Sequence, residues 1–143
     1  MQDFHNTSRV ISSVRNVAIG ANATKTGVIV DRRGYSGVEF IATYGAVTTT
    51  GTVCTLVLFE GDVTGTMTSI ADANLLGTEA LASLLATTPR TSGVAQNVAK
   101  RVGYIGNKRY VQAKTVSTGV TSVGCVSVNV VLYNPEISAT TNP

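Results

Sequence analysis

The side chains that most often perform catalysis are few in this sequence and lie far apart. The only histidine is His5, in a stretch that we interpret as extended, so a Ser-His-Asp or Cys-His mechanism would depend on an unanchored base. Cys54 and Cys125 do not have the spacing of a metal site, and one histidine with two separated cysteines does not complete a tetrahedral zinc shell. We therefore expect no catalytic residue, no metal and no cofactor.

Glu60 and Asp62 form the one carboxylate pair whose spacing could support chemistry, with Asp72 in the next segment. A glycosidase needs two carboxyl groups that flank a sugar, and a calcium site needs several oxygen ligands. Glu60-Gly61-Asp62 also has the composition of a turn, in which the aspartate bonds the local backbone. We prefer the turn to an acid-base pair or a metal site, and we expect the protein not to be an enzyme.

Basic residues on either side of a predicted turn form the clearest candidate surface. They are Lys100, Arg101, Lys108 and Arg109, with Tyr104 and Tyr110 between and beside them. The net charge is only +3 and the basic residues occur in pairs at most, which does not favour nucleic-acid binding. We assign partner binding to Arg101, Lys108, Arg109 and Tyr110.

The tyrosines raise a second possibility, because sugar-binding modules of small β-sandwich proteins use exposed aromatic faces. Tryptophan is absent, and the five tyrosines are Tyr35, Tyr44, Tyr104, Tyr110 and Tyr133. Each lies in a predicted strand or at its end, where packing in a core or an interface is the commoner role. A carbohydrate-binding adhesive module therefore stays as an alternative.

The elements that must position these residues are strands. Val38, Phe40, Ala42 and Tyr44 alternate with more polar residues, which predicts a half-buried strand. Residues 53–59 are apolar on both faces, as in a central strand, and we expect the two strands to form a hairpin.

The last forty residues repeat this pattern. Residues 96–105 and 109–116 predict a second hairpin, because Gly106-Asn107 tolerates the positive φ of a two-residue turn. Residues 123–133 alternate as well, with Val126, Val128, Val130 and Leu132 on one face. Leu81, Leu84 and Leu85 have helical spacing, and Thr78-Glu79 could open a helix there.

A chain of 143 residues is long enough for one ordinary domain. We predict an all-β antiparallel sandwich or jelly-roll-like fold, with at most one short helix near residues 78–86. The predicted organisation is an extended N-terminal arm over 1–26 that adds one edge strand, a sandwich over 27–134, and an extended tail over 135–143.

The composition indicates the environment in which the protein works. Charged residues make up 13% of the chain, about half of the ~25% of a typical soluble domain, which suits a surface packed against neighbours. Both cysteines fall in predicted strands, and we expect buried reduced thiols. The N-terminus does not read as a signal peptide, and no apolar run is long enough for a membrane span.

The sequence resembles small structural proteins encoded among the head genes of tailed bacteriophages. The resemblance is carried by Arg101–Val111 (RVGYIGNKRYV), the Thr/Ser/Gly turn and alternating valine strand after it, Asn134-Pro135, Gly37–Phe40 and Ala73–Gly77. It covers roughly residues 27–135, and the region from Leu81 to Gly93 departs from the pattern.

This resemblance implies a non-catalytic virion protein, above all a capsid decoration or cement protein that stabilises the assembled head. A head-tail joining or other neck or tail protein is the alternative within the same class. The implied partners are the major capsid protein or other virion proteins, in the virion after assembly in the host cytoplasm. A homo-oligomer is expected, a trimer before a dimer, because shells offer symmetric positions.

Overall fold

The computed structural model of this chain describes residues 3–48, 50–85, 97–119 and 123–136. Two antiparallel sheets pack face to face, and helix within these ranges is confined to single turns, one of them a 3-10 turn at Asp72–Asn74. This confirms the predicted all-β antiparallel sandwich. None of the described residues belongs to a helix long and apolar enough to cross a membrane.

The two sheets, which we name A and B, are built from strands that are distant in sequence. Sheet A has the spatial order β1 (Ser8–Ile19), β11 (Val123–Pro135), β4 (Tyr35–Tyr44), β9 (Val98–Tyr104) and β7 (Leu75–Leu76). Sheet B has the order β2 (Ala23–Thr26), β10 (Tyr110–Thr118), β5 (Val53–Gly61) and β6 (Thr68–Ser69). The short β3 (Val30–Asp31) also pairs with β10, and β8 (Leu84–Leu85) also pairs with β5.

The core lies between the sheets, and the predicted alternation places its residues. In β4 the predicted set is buried, and in β11 one face is equally buried: Val38, Phe40, Ala42, Tyr44; Val126, Val128, Val130, Leu132. The facing side of sheet B supplies Cys54, Leu56, Leu58, Val111 and Ala113. Because successive side chains of a strand point to opposite faces, the residues between these lie on the outer faces.

The two strands of each predicted hairpin lie in different sheets, so both predicted hairpins are wrong. The chain crosses from sheet A to sheet B between β4 and β5, and again between β9 and β10. A turn sequence indicates that the chain reverses, but a strand can return beside its predecessor or on the facing sheet. Gly106 and Asn107 also do not have the positive φ of the hairpin turn that they suggested.

Residues 8–26, most of the predicted arm with its one edge strand, add an edge strand to each of the two sheets. β1 pairs with β11 along its length, and β2 pairs with β10. The register of β1 shifts between Ser12 and Val14 and again between Val14 and Val17, and such bulges interrupt alternation, which is why the sequence pattern is loose. The predicted tail starts where β11 ends, and residues 137–143 lie outside the described residues.

Two four-residue helices flank the sandwich where at most one was predicted. α2 (Glu79–Ala82) begins as expected, since Thr78 Oγ1 accepts a hydrogen bond from the Leu81 amide at 3.1 Å. It ends earlier than its leucine spacing suggested, and Leu84–Leu85 form β8. α1 (Phe4–Thr7) was not predicted, and the Asp3 carboxylate caps it by accepting from the His5 amide at 3.0 Å.

The segment around α2 protects the exposed edge of β5. β5 pairs with β8 at Val53 and Cys54 and with β6 at Phe59 and Glu60. Among the described residues, the β5 amides between these two short partners have no paired strand beside them on this edge. The Leu56 amide donates to Ser83 Oγ at 2.8 Å, and the Leu58 amide donates to the Glu79 carboxylate. Side chains therefore replace a paired strand over the middle of this edge.

Cys54 is buried between the sheets as predicted, whereas Cys125 is exposed, and no disulfide joins them. Cys125 lies on the face of β11 opposite to the buried valines, and strand position alone does not reveal which face is covered.

Candidate functional site

The four residues predicted to bind partners fall on two different surfaces. Arg101 lies on the outer face of sheet A, within β9, and its side chain is 81% exposed. Lys108, Arg109 and Tyr110 lie where the chain crosses to sheet B and begins β10. The structure therefore separates one member of the predicted set from the other three.

The cations at the crossing point are held by two acids, Asp31 in β3 and Asp62 directly after β5. Lys108 Nζ lies 2.6 Å from Asp62 Oδ2, and Arg109 Nη2 lies 2.6 Å from Asp31 Oδ2. The Arg109 guanidinium also lies 4.8 Å from the centre of the Tyr110 ring. Hydrogen bonding from Arg109 holds the pKa of Asp31 below its ordinary value. The predicted basic rim is thus a set of ion pairs rather than a patch of uncompensated positive charge.

Arg32 donates hydrogen bonds to the segment that joins β9 to β10. Its Nε donates to the Lys108 carbonyl at 2.6 Å, and its Nη2 donates to the Gly106 carbonyl at 3.1 Å. The guanidinium lies 5.5 Å from the centre of the Tyr104 ring. Arg32 therefore fastens the crossing between β9 and β10 to the turn that precedes β4. No local pattern in the sequence indicates this role of Arg32, because it depends on residues more than seventy positions away.

A shallow concavity of about 220 Å³ opens beside Arg32. It is lined by Arg32, Arg33, Gly34, Tyr35, Arg109 and Glu136. Arg32 and Arg109 already bond backbone carbonyls and Asp31, and Glu136 adds a negative charge. The Arg109 guanidinium is thus paired with an acid, and that of Arg32 is held by backbone groups.

Glu60 and Asp62 do not form a pair. Glu60 is buried, where it accepts hydrogen bonds from the Tyr104 phenol and, at 3.2 Å, from the Asn74 side-chain amide. Asp62 is exposed and bound to Lys108. Burial raises the pKa of Tyr104, and its hydrogen bond to Glu60 raises it further. The predicted turn is wrong for Glu60 and Gly61, which end β5, and Asp62 pairs with the distant Lys108.

Other groups that could do chemistry are also dispersed. His5 lies in α1, exposed. Within residues 3–48, 50–85, 97–119 and 123–136, no group of three His, Cys, Asp or Glu side chains could hold a metal ion. Lys100, a member of the predicted basic surface, donates from Nζ to the Ser83 carbonyl at 2.5 Å and so binds the end of α2.

The outer face of sheet A carries the more distinctive surface. We define the sheet A face by six apolar residues that alternation and register place together: Val10, Ile41, Leu76, Ile105, Val131 and Tyr133. Val10 is 61% exposed, and Leu76 and Ile105 are each 56% exposed. Large aliphatic side chains with this exposure on one sheet face are typical of an interaction surface.

One ion pair lies in the middle of the sheet A face. Arg101 Nε is 3.7 Å from Glu39 Oε1. A groove of about 290 Å³ runs beside this pair, lined by Phe4, Glu39, Ile41, Arg101, Val131 and Tyr133. A Cβ at Gly103 would lie 2.9 Å from Glu39 Oε2 and 3.1 Å from Leu76 Cβ, so the glycine leaves the space that the Glu39 carboxylate occupies.

The tyrosines divide between core and surface. Tyr44 and Tyr104 are about 1% exposed, and Tyr44 donates to the Ala82 carbonyl at 2.8 Å. Tyr35, Tyr110 and Tyr133 are half-buried. Tyr133 lies against Gly37, and Tyr110 stacks with Arg109. The part of the chain that the structure describes therefore presents no fully exposed tyrosine ring.

No protein-family model matches this sequence, and no curated protein matches it significantly. Solved structures do match. The PBSX exported protein XepA is similar with a TM-score of 0.57 and 14% identity, over 100% of this chain and 42% of XepA. A chain of infectious bursal disease virus, Gx strain, is similar with a TM-score of 0.50 and 9% identity, over 92% of this chain and 33% of the viral chain.

The SPBc2 prophage-derived protein YomS matches with a TM-score of 0.44 and 14% identity, over 89% of this chain and 95% of YomS. This chain spans about two fifths of XepA and one third of the viral chain. Likeness at these identities establishes a shared fold. The predicted resemblance to β-rich structural proteins of phages is confirmed at the level of the fold, which is a two-sheet antiparallel sandwich.

Proposed function

We propose that this chain is a non-catalytic structural protein of a phage virion, and specifically a decoration or cement protein that binds the assembled head. The observation that supports this most is the sheet A face, an exposed apolar surface on a rigid scaffold. The polar residues that could have served catalysis are instead bound in structural pairs, such as Glu60 with Tyr104 and Asp62 with Lys108.

The mechanism would be mass action. A protein that binds the assembled shell and not its separate subunits shifts the equilibrium towards the shell. The partner would be the major capsid protein, met in the virion after assembly in the host cytoplasm. Lys108, Arg109 and Tyr110 would form a rim around the contact. Acidic groups of the partner would compete with Asp62 for Lys108 and with Asp31 for Arg109. These residues would therefore contribute to selectivity more than to affinity.

A head-tail joining role is the alternative within the same class. A joining protein would have the same fold, but its copies would form a single ring in each particle. A sugar-binding adhesive module would require the groove beside Tyr133 to take a carbohydrate. These roles differ in how many copies a particle carries and in whether the isolated protein binds glycans.

The deciding experiment is quantitative mass spectrometry of purified particles, with the copy number scaled to the major capsid protein. We expect hundreds of copies per particle, and particles that lack the protein should rupture at a lower temperature. Adding the purified protein back should restore the rupture temperature. A copy number that corresponds to a single small ring per particle would support the joining role. The absence of the protein from particles, together with glycan binding in solution, would refute the proposal.

A further inference from the structure

We propose that the sheet A face is an interface between two copies of this chain, which pack face to face across a twofold axis so that Glu39 of each copy meets Arg101 of the other. This inference concerns the free protein: a reversible dimer covers the sheet A face until that face binds the head, and self-association does not itself require the role in the virion. A twofold interface brings the same patch of both copies together, so the patch must be complementary to itself.

The apolar part of the face meets this condition. Val10, Val131 and Glu39 form one cross-strand row, since Val10 pairs with Val131 and Val131 pairs with Glu39. The row continues through Gly103 to Leu76 at the opposite edge. Aliphatic side chains thus lie at both ends of the row, and the charged group lies between them. Arg101 lies in the neighbouring row, because it pairs with Ile41. A twofold axis that passes between Glu39 and Arg101 brings each Glu39 against Arg101 of the other copy, with aliphatic residues around this charged centre.

The charged centre is incompletely paired within one copy. The Glu39 side chain is 21% exposed, whereas that of Arg101 is 81% exposed, and the two touch only through one contact at 3.7 Å. Burial raises the pKa of Glu39, and the nearby Arg101 offsets this only in part. A second copy would bring its own guanidinium to each carboxylate, at the point where the apolar rows exclude water. Charge complementarity therefore favours a second copy over a partner that is apolar throughout.

The size of the face suits a reversible dimer. Five strands about 4.8 Å apart, with about three outward-facing residues along each of the longer ones, give a patch of roughly 20 by 20 Å. Patches of a few hundred Å² are the largest that a monomer usually exposes, but they are smaller than the standard ~800 Å² per partner of a tight complex. We therefore expect dimerisation to depend on concentration. A sugar would instead favour aromatic platforms, whereas Val10, Leu76 and Ile105 are aliphatic.

The test is sedimentation velocity of the full chain over a wide concentration range. The wild type should shift from monomer to dimer. Arg101→Glu places acids at both positions of each copy, and Glu39→Arg places cations at both, so each variant alone should dimerise roughly a hundredfold more weakly or worse. An equimolar mixture of the two variants should dimerise again, because each carboxylate then meets a guanidinium of the other chain.

A matched pair of valines provides the control for folding and for general surface effects. Val10 and Val63 are 61% and 60% exposed, but Val63 lies between β5 and β6, away from the sheet A face. Val10→Lys should abolish dimerisation, and Val63→Lys should leave it unchanged, with equal circular dichroism and melting temperature. If Glu39→Arg fails to fold, Arg101→Glu and the valine pair decide the matter.

A wild type that stays monomeric at every concentration would overturn the inference, as would equal dimerisation of both lysine variants. Glycan binding by a monomeric wild type, lost in Val10→Lys but not in Val63→Lys, would assign the face to a sugar instead. A monomeric protein that still coats heads in hundreds of copies would overturn this inference alone and leave the proposed function standing.

Discussion

The phenol of Tyr104, on sheet A, donates a hydrogen bond to the buried carboxylate of Glu60, on sheet B. Tyr104 Oη also accepts from the Lys108 amide at 3.0 Å. One side chain therefore joins the two sheets and the crossing between them. A hydrogen bond to a charged acceptor inside a protein is worth more than one to a neutral group, because the acceptor is costly to leave unpaired.

Tyr104→Phe should therefore destabilise the fold by about 1.5–3 kcal/mol, since it leaves Glu60 with one fewer donor. Urea denaturation followed by fluorescence measures the free energy of unfolding. Tyr110→Phe is the control, because its ring keeps the contact with Arg109, and we expect a change within about 0.5 kcal/mol. Equal effects of the two changes would show that the bond between the sheets contributes nothing measurable.

Thr115 offers a stabilising substitution. It is about 1% exposed in β10, and its hydroxyl has no hydrogen-bond partner among the described residues. Thr115→Val keeps the shape and removes the unsatisfied hydroxyl, so the free energy of unfolding should rise by about 1 kcal/mol. Thr43→Val is the matched control, because Thr43 Oγ1 lies 2.6 Å from Ser127 Oγ. A gain in both variants would trace the effect to β-propensity rather than to the buried hydroxyl.

Gly37 should not tolerate a side chain. A Cβ at this position would overlap the ring of Tyr133 on the neighbouring strand. Gly37→Ala should therefore cost about 1–3 kcal/mol, because it forces the ring off the sheet. Gly65→Ala is the control, with nothing within 4 Å of the added methyl group. Thermal melts should separate the two variants, and matching melting temperatures would contradict the close packing of Tyr133 on Gly37.

Asp31 should titrate below its ordinary pKa of 3.8, chiefly because Arg109 hydrogen-bonds its carboxylate. Since the folded pKa is lowered, the stability that Asp31 contributes is present above its ordinary pKa and is lost as the pH falls through the lowered value. Carboxyl carbon chemical shifts against pH measure this titration. Arg109→Gln should raise the pKa of Asp31, and Arg15→Gln, on β1, should not. An unchanged Asp31 titration in Arg109→Gln would mean that the pair does not form in solution.

Ser83 should stabilise the edge of β5 that has no paired strand beside Leu56 in the described part of the chain. Its Oγ accepts from the Leu56 amide and donates to the Glu79 carbonyl at 2.7 Å, with about 1% exposure. Ser83→Ala leaves a buried amide without its partner and should cost about 1–3 kcal/mol. It should also speed hydrogen exchange at the Leu56 amide. Ser69→Ala, in the exposed β6, is the control, and unchanged exchange at Leu56 in Ser83→Ala would contradict this account.

The sequence by itself determined which residues face the core within each long strand. Val38 and Phe40, like Val128 and Val130, are buried because side chains in a strand alternate, and this period is a local property of the backbone. The start of α2 was equally local, since Thr78 caps a helix that begins at the next residue.

Only the tertiary structure decided which strands pair and which charges meet. β9 and β10 follow each other closely in sequence and yet lie in different sheets, because burial between two facing sheets outweighs pairing with the nearest strand. Arg109 bonds Asp31 across 78 positions, and Glu39 faces Arg101 only because β4 and β9 are neighbours. Such contacts follow from strand order, which depends on how the whole chain buries its apolar surface and is not written in any local pattern.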